Sequence, residues 1–234
     1  MTLDPDSFNT ASTAIHIAQG AALLVLGLTE AYAGLEPGKR IKLFSPAALL
    51  AGGIAMALIM LYFLGGWNLD NTMGALKMKN GFFIFVSFAC FYASAGLSQL
   101  TFLSSGEKSR GWHYIFLLFL AVIAVLYFGM AKRVGPEAAA KVGIYHSAMG
   151  VTLLAAVLLK LLYGFLPRRS LHLVWTVLLL MTSFQLLSYR EIPGAFDFRL
   201  VSLRTEAMPA APVVPAAKPA NKNAKTPPVK RARN

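Results

Sequence analysis

Cysteine is nearly absent from this 234-residue chain. Cys90 stands alone inside an apolar run, so no intrachain disulfide and no cysteine-based zinc site can form. Charge is scarce as well: Asp, Glu, Lys and Arg make up 14% of the residues, against about 25% in ordinary soluble domains. Acids are the scarcer sign, 10 against 22 bases. Also missing are the phosphate-cradling loop, the dinucleotide fingerprint, HExxH and GxSxG. No paired carboxylates occur in the apolar runs, where Glu30 is the only acid in a helix interior. Together these absences argue against a soluble enzyme, a hydrolase, a kinase and a nucleotide-driven pump.

What the chain has instead is apolar length. Hydrophobic residues make up 56% of it, and its mean hydropathy is +0.58. Six segments reach the roughly 20 residues that a bilayer-crossing helix needs: Ser12–Leu35, Ser45–Trp67, Gly81–Leu103, Trp112–Met130, Val142–Phe165 and Leu171–Ser188. Runs such as FLLFLAVIAVLYF lack the alternating polarity of barrel strands, and a helix pairs its own backbone groups in hydrocarbon. Short polar linkers make consecutive helices antiparallel neighbours. The expected fold class is therefore all-α, an integral membrane bundle of six transmembrane helices over residues 1–188 in contact with the lipid bilayer.

Two further regions follow. Residues 189–208 mix apolar and charged side chains and are expected to lie along the membrane interface. Residues 209–234 are rich in Pro, Ala and Lys, with six bases, no acid and no aromatic residue. A disordered tail follows from that composition, able to contact anionic lipid if it is cytoplasmic. The bases in the linkers divide almost evenly between the two faces, and the tail tips both termini toward the cytoplasm of a cell or inner membrane. The start, MTLDPDSF, is acidic where a signal peptide is basic, so the first helix is expected to stay in the protein.

The first and fifth apolar segments resemble each other at an offset of 130. HIAQGAALLVLGLTEAYAGLEP, from His16, and HSAMGVTLLAAVLLKLLYGFLP, from His146, agree at eight of 22 positions. A parallel internal duplication would account for this. The alignment sets Glu30 opposite Lys160 at equal depth, which predicts an intramembrane ion pair. Its alternative is that both side chains snorkel to the interface.

All four histidines fall near the starts of apolar segments. His16 and His146 share one membrane face, and His113 and His172 share the other. Two imidazoles from different helices suit the axial positions of a b-type haem. Gly20 and Gly150, one turn after their histidines, would leave room for a flat macrocycle. The other reading of these glycines is close helix packing. A copper ion is less well served, because no Met or Cys cluster accompanies the imidazoles. The aromatic run Phe82, Phe83, Phe85, Phe88, Phe91 and Tyr92 reads as packing or lipid-facing surface, and Cys90 as an inert thiol.

With its helix count, its HIAQG and HSAMG motifs and its two-sided histidine pairing, the chain resembles cytochrome b561-type membrane proteins and, more loosely, CopD-like ones. The resemblance implies transmembrane electron transfer through one or two haem b groups, with His16, His146, His113 and His172 as axial metal ligands. A quinone or redox partner protein would receive the electrons. It departs from that pattern in having no histidine in the second and third segments. Two other classes fit the composition: a small transporter or channel with Glu30, Lys160 and the histidines as a polar track, and a non-catalytic scaffold or assembly subunit.

Overall fold

The computed structural model describes residues 5–33, 41–192 and 195–196. The expected tail, 209–234, lies outside the described residues, as do residues 193–194 and 197–208 of the expected interfacial segment. Among the described residues there are seven α-helices and no strand: α1 (Pro5–Ala33), α2 (Phe44–Phe63), α3 (Leu69–Met78), α4 (Phe83–Ser104), α5 (Arg110–Phe128), α6 (Pro136–Phe165) and α7 (Arg169–Ser188). Six of them, all but α3, are long and apolar enough to cross a membrane.

The six long helices form a closed ring. Each packs mainly on its neighbours in the order α1, α2, α4, α5, α6, α7, and α7 returns to α1. The inside of the ring is filled by Leu23, Leu26, Phe85, Phe88, Tyr92, Leu120, Tyr127, Leu153 and Leu179, all fully buried. Outward-facing residues are just as apolar. Ile54, Leu118, Val125, Val151, Leu158 and Phe184 are all exposed. A helix that is apolar on both its inner and outer faces belongs in lipid. The architecture is that of an integral, multi-pass membrane protein.

Local physics explains where the elements depart from expectation. α1 starts at Pro5 and α6 at Pro136, each about two turns before the apolar segment begins. Proline in the first turn costs no hydrogen bond, and the early acids Asp6 and Glu137 favour a helix N-terminus. His16 and His146 therefore sit three turns inside their helices, about 16 Å along the axis, and not at the starts. The polar linker after α2 contains α3, capped by Asn68, whose side chain accepts from the Asn71 N–H at 3.1 Å.

The aromatic run on α4 divides by helical period. Phe82, just before the helix, and Phe85, Phe88 and Tyr92 are buried, whereas Phe83 is exposed. Cys90 is also exposed, on the outer face of α4, and so does not pack in the interior. Some of the described residues beyond α7 pack against the bundle. Tyr189, Ala195 and Phe196 are buried across its end, where Phe196 meets Phe82 at 5.0 Å and the Gly135 N–H donates to the Ala195 carbonyl at 3.0 Å.

Glycines set the tightest helix contacts. A Cβ on Gly53 would stand 2.7 Å from the Ala89 carbonyl oxygen of α4, and one on Gly96 would stand 2.8 Å from the Pro46 carbonyl oxygen of α2. The obstacle in both cases is backbone, which cannot swing aside. Gly53→Leu should therefore force α2 and α4 apart at a cost of about 1–3 kcal/mol or more. A fall of several degrees in the detergent melting temperature is the expected reading. Gly164→Leu, with nothing within 4 Å of its Cβ, should leave it unchanged.

Candidate functional site

α1 and α6 stand on either side of α7 in the ring, and His16 and His146 reach toward each other across the gap. Both imidazoles are buried. Their Nε2 atoms lie 3.0 Å apart. The ring centroids are 5.3 Å apart, longer than the nitrogen separation by two ring radii, so the rings meet nose to nose.

The other ring nitrogens decide the chemistry. His16 Nδ1 is 2.6 Å from the Ser12 carbonyl oxygen, and His146 Nδ1 is 2.8 Å from that of Val142. A carbonyl only accepts, so both Nδ1 atoms carry hydrogen, and this sets the tautomer of each neutral ring. Each Nε2 is then left with a bare lone pair aimed at the other. Two bare lone pairs at 3.0 Å repel, and two N–H groups there would collide. One proton between them makes an ordinary N–H···N hydrogen bond.

A polar cap covers the pair at the end of the bundle. The Tyr189 ring lies 4.7 Å from each imidazole ring. Its hydroxyl donates to Glu191 at 3.2 Å. Burial and the adjacent Glu191 carboxylate both raise the Tyr189 phenol above its ordinary range, so it remains a donor. Glu191 also accepts from Arg133 and from the Ser12 hydroxyl. The Arg133 guanidinium donates to Ser12 at 3.0 Å and lies over the Phe85 ring. Toward the membrane centre, Tyr127 stands beside His146, and its hydroxyl donates to Gln19 Oε1 at 3.3 Å. A cavity of about 630 Å³, lined by Lys141, Tyr145, Tyr189 and Glu191 among others, opens on the far side of Tyr189.

The donor set, two facing imidazoles, is the one a haem iron would use. The packing does not suit that group. A metal–imidazole bond is about 2.0 Å long, so two trans imidazoles need about 4 Å between their nitrogens, and a macrocycle needs an open plane between them. Neither glycine supplies that plane. A Cβ on Gly20 would meet Leu187 of α7 at 2.8 Å, and one on Gly150 would meet the Ala124 carbonyl oxygen of α5 at 2.8 Å and Phe128 at 3.0 Å. Both glycines serve close helix packing and offer no cradle to a ring system.

Near the other end of the ring, Lys160 Nζ lies 2.5 Å from Glu30 Oε2. The Trp175 indole N–H also donates to this oxygen, at 3.2 Å. Both charged side chains are mostly buried, 11% exposed for Lys160 and 14% for Glu30. His172 Nε2 is 3.0 Å from the Glu30 carbonyl oxygen. His113 stacks at 5.0 Å on Phe102. His113 and His172 line one cavity, but no contact joins them among the described residues. No group of three or more His, Cys, Asp or Glu side chains suited to a metal ion occurs among the described residues.

Ser12, Arg133, Tyr189 and Glu191 carry no sequence signal that marks them as a site. They lie in or next to polar segments, and only Tyr189 and Glu191 are close together in the chain. No family model, curated protein or solved structure matches this chain.

Proposed function

We propose that this membrane protein is a proton-coupled carrier in which His16 and His146 hold one shared proton. The observation that carries the reading is the nose-to-nose approach of the two Nε2 atoms at 3.0 Å, with both Nδ1 atoms already committed to backbone carbonyls. A proton supplied through the cavity beside Tyr189 would pass the Glu191 and Tyr189 groups to reach the imidazoles. Tyr127 and Gln19 extend the polar path toward the membrane centre. Beyond them the ring is closed by Leu23, Leu26, Leu120 and Leu153. A carrier must interrupt a continuous proton wire in this way if it is to couple proton movement to a conformational change.

The test is proton entry into vesicles that contain the purified protein and a pH-sensitive dye, after the outside is made acidic. His146→Gln keeps a polar side chain of similar reach and removes the titrating group. Entry should fall by about tenfold or more, and His16→Gln should do the same. Wild-type rates in both variants would overturn the reading. A haem b carrier of the cytochrome b561 type has the same imidazole pair in its favour, and the closed packing around Gly20 and Gly150 against it. A Soret band in protein from haem-supplied cells, weakened by both His16→Ala and His146→Ala, would put that reading first.

A further inference from the structure

The end of the ring opposite the imidazole pair holds a cavity of about 790 Å³, set among the ends of α1, α4, α5, α6 and α7. Three buried polar atoms of residues that line it have no hydrogen-bond partner: Gln99 Oε1, His113 Nδ1 and His172 Nδ1. Gln99 is 4% exposed, so bulk water does not bathe it. The tautomer of His172 follows from its surroundings. Its Nε2 faces the Glu30 carbonyl oxygen at 3.0 Å and must carry the hydrogen, which leaves Nδ1 as an acceptor. Gln99 Oε1 is an acceptor by nature. Gln99 Oε1 and His172 Nδ1 are therefore two buried acceptors with no donor.

The charge on its lining is unbalanced in the other direction. Glu30 is matched by Lys160, and Glu107 by Lys42 at 2.5 Å. Arg110 and Arg169 also line the cavity, and among the described residues neither has a carboxylate partner. Two free guanidinium groups match the oxygens of a phosphate group in geometry as well as charge. Buried acceptors in a cavity stay unsatisfied only at a cost, so they call for hydroxyl or ammonium donors on the same ligand.

We infer that this cavity binds a phosphate ester whose carbon skeleton carries hydroxyl groups, with the phosphate at Arg110 and Arg169 and the hydroxyls at Gln99 and His172. The same chemistry occurs in free polyol phosphates and in phosphoglycerol lipid headgroups. The site lies at the other end of the bundle from the imidazole pair, and binding at equilibrium does not depend on proton movement there.

The experiment is calorimetric titration of the full chain in detergent with glycerol 1-phosphate, propyl phosphate and glycerol. Glycerol phosphate should bind saturably, propyl phosphate about tenfold more weakly because it lacks the donors, and glycerol not measurably. Arg110→Gln with Arg169→Gln should abolish binding. Gln99→Leu should bring glycerol phosphate down toward the affinity of propyl phosphate, an erased preference that general loss of fold would not imitate. If only the lipid supplies the ligand, the soluble esters stay silent. Native mass spectrometry then shows a phosphatidylglycerol retained by the wild type and lost from the double arginine variant. Equal binding of the two phosphate esters, or retention of either ligand by the double variant, overturns the inference. So does the absence of both soluble and lipid binding.

Discussion

Arg133→Met should destabilise this protein by about 3–5 kcal/mol, the loss seen when one partner of a buried ion pair is removed. The Arg133 and Glu191 side chains are 1% and 3% exposed. Methionine fills much of the volume that Arg133 occupies against the Phe85 and Phe196 rings, but it leaves the Glu191 carboxylate buried without a cation. The remaining donors, Ser12 and Tyr189, are neutral and cannot replace that charge. Glu191→Gln in the same background removes the stranded charge, so the double variant should recover much of the loss. Thermal unfolding in detergent of wild type, both single variants and the double variant measures the coupling. Additive losses in that cycle would mean that the ion pair does not hold the cap together. The cap also bears on the imidazoles, because the backbone carbonyl of Ser12 fixes the His16 tautomer while its hydroxyl is held by Glu191. Arg133→Met should therefore lower proton entry into vesicles even where the folded fraction is matched to wild type.

The parts of this molecule that were legible in its sequence are those that depend on bulk physics. Hydropathy over 20 residues identifies six spans because burial in lipid acts on every residue of a span at once, and the six long helices occupy those spans. Helix starts are less legible. Polar turns at the beginnings of α1 and α6 continue the helices outside the apolar segments, where hydropathy has no signal. That shift moves His16 and His146 from the helix starts to three turns inside. Their meeting is legible through the alternation of helix direction, which puts both on one face, and through the offset of 130 between the two segments, which gives them equal depth. The glycines after them were ambiguous, because a missing side chain makes room equally for a flat ligand and for a neighbouring helix. Leu187 and Phe128 occupy that room here. Nothing in the sequence marks Arg133 and Glu191 as partners. They are 58 residues apart in chain segments of ordinary polarity, and a pairing of that kind exists only once the ring has closed.

Reversing either charge of the Glu30–Lys160 pair should prevent accumulation of folded protein, and reversing both should restore much of it. A lone charge within the membrane costs about 2.5–3.5 kcal/mol on insertion scales. Glu30→Lys sets two cations against each other where Lys160 Nζ and Glu30 Oε2 are now 2.5 Å apart. Lys160→Glu does the same with two anions. The exchanged pair, Glu30→Lys with Lys160→Glu, regains the attraction, though not the whole arrangement. Trp175 Nε1 donates to the Glu30 carboxylate at 3.2 Å and would find an ammonium in its place. The Lys160 ammonium also lies 5.4 Å from the Trp175 ring centroid and 5.7 Å from that of Tyr163, contacts that a carboxylate at position 160 would not make. The double variant should therefore reach an intermediate yield and melting temperature, clearly above both single variants and below wild type. Size-exclusion chromatography of fluorescently tagged protein gives the yield directly. A double variant no better than the worse single one would show that the two charges are held by their surroundings and not by each other. That result would also remove the ion pair as the balance for Glu30 in the cavity beside it.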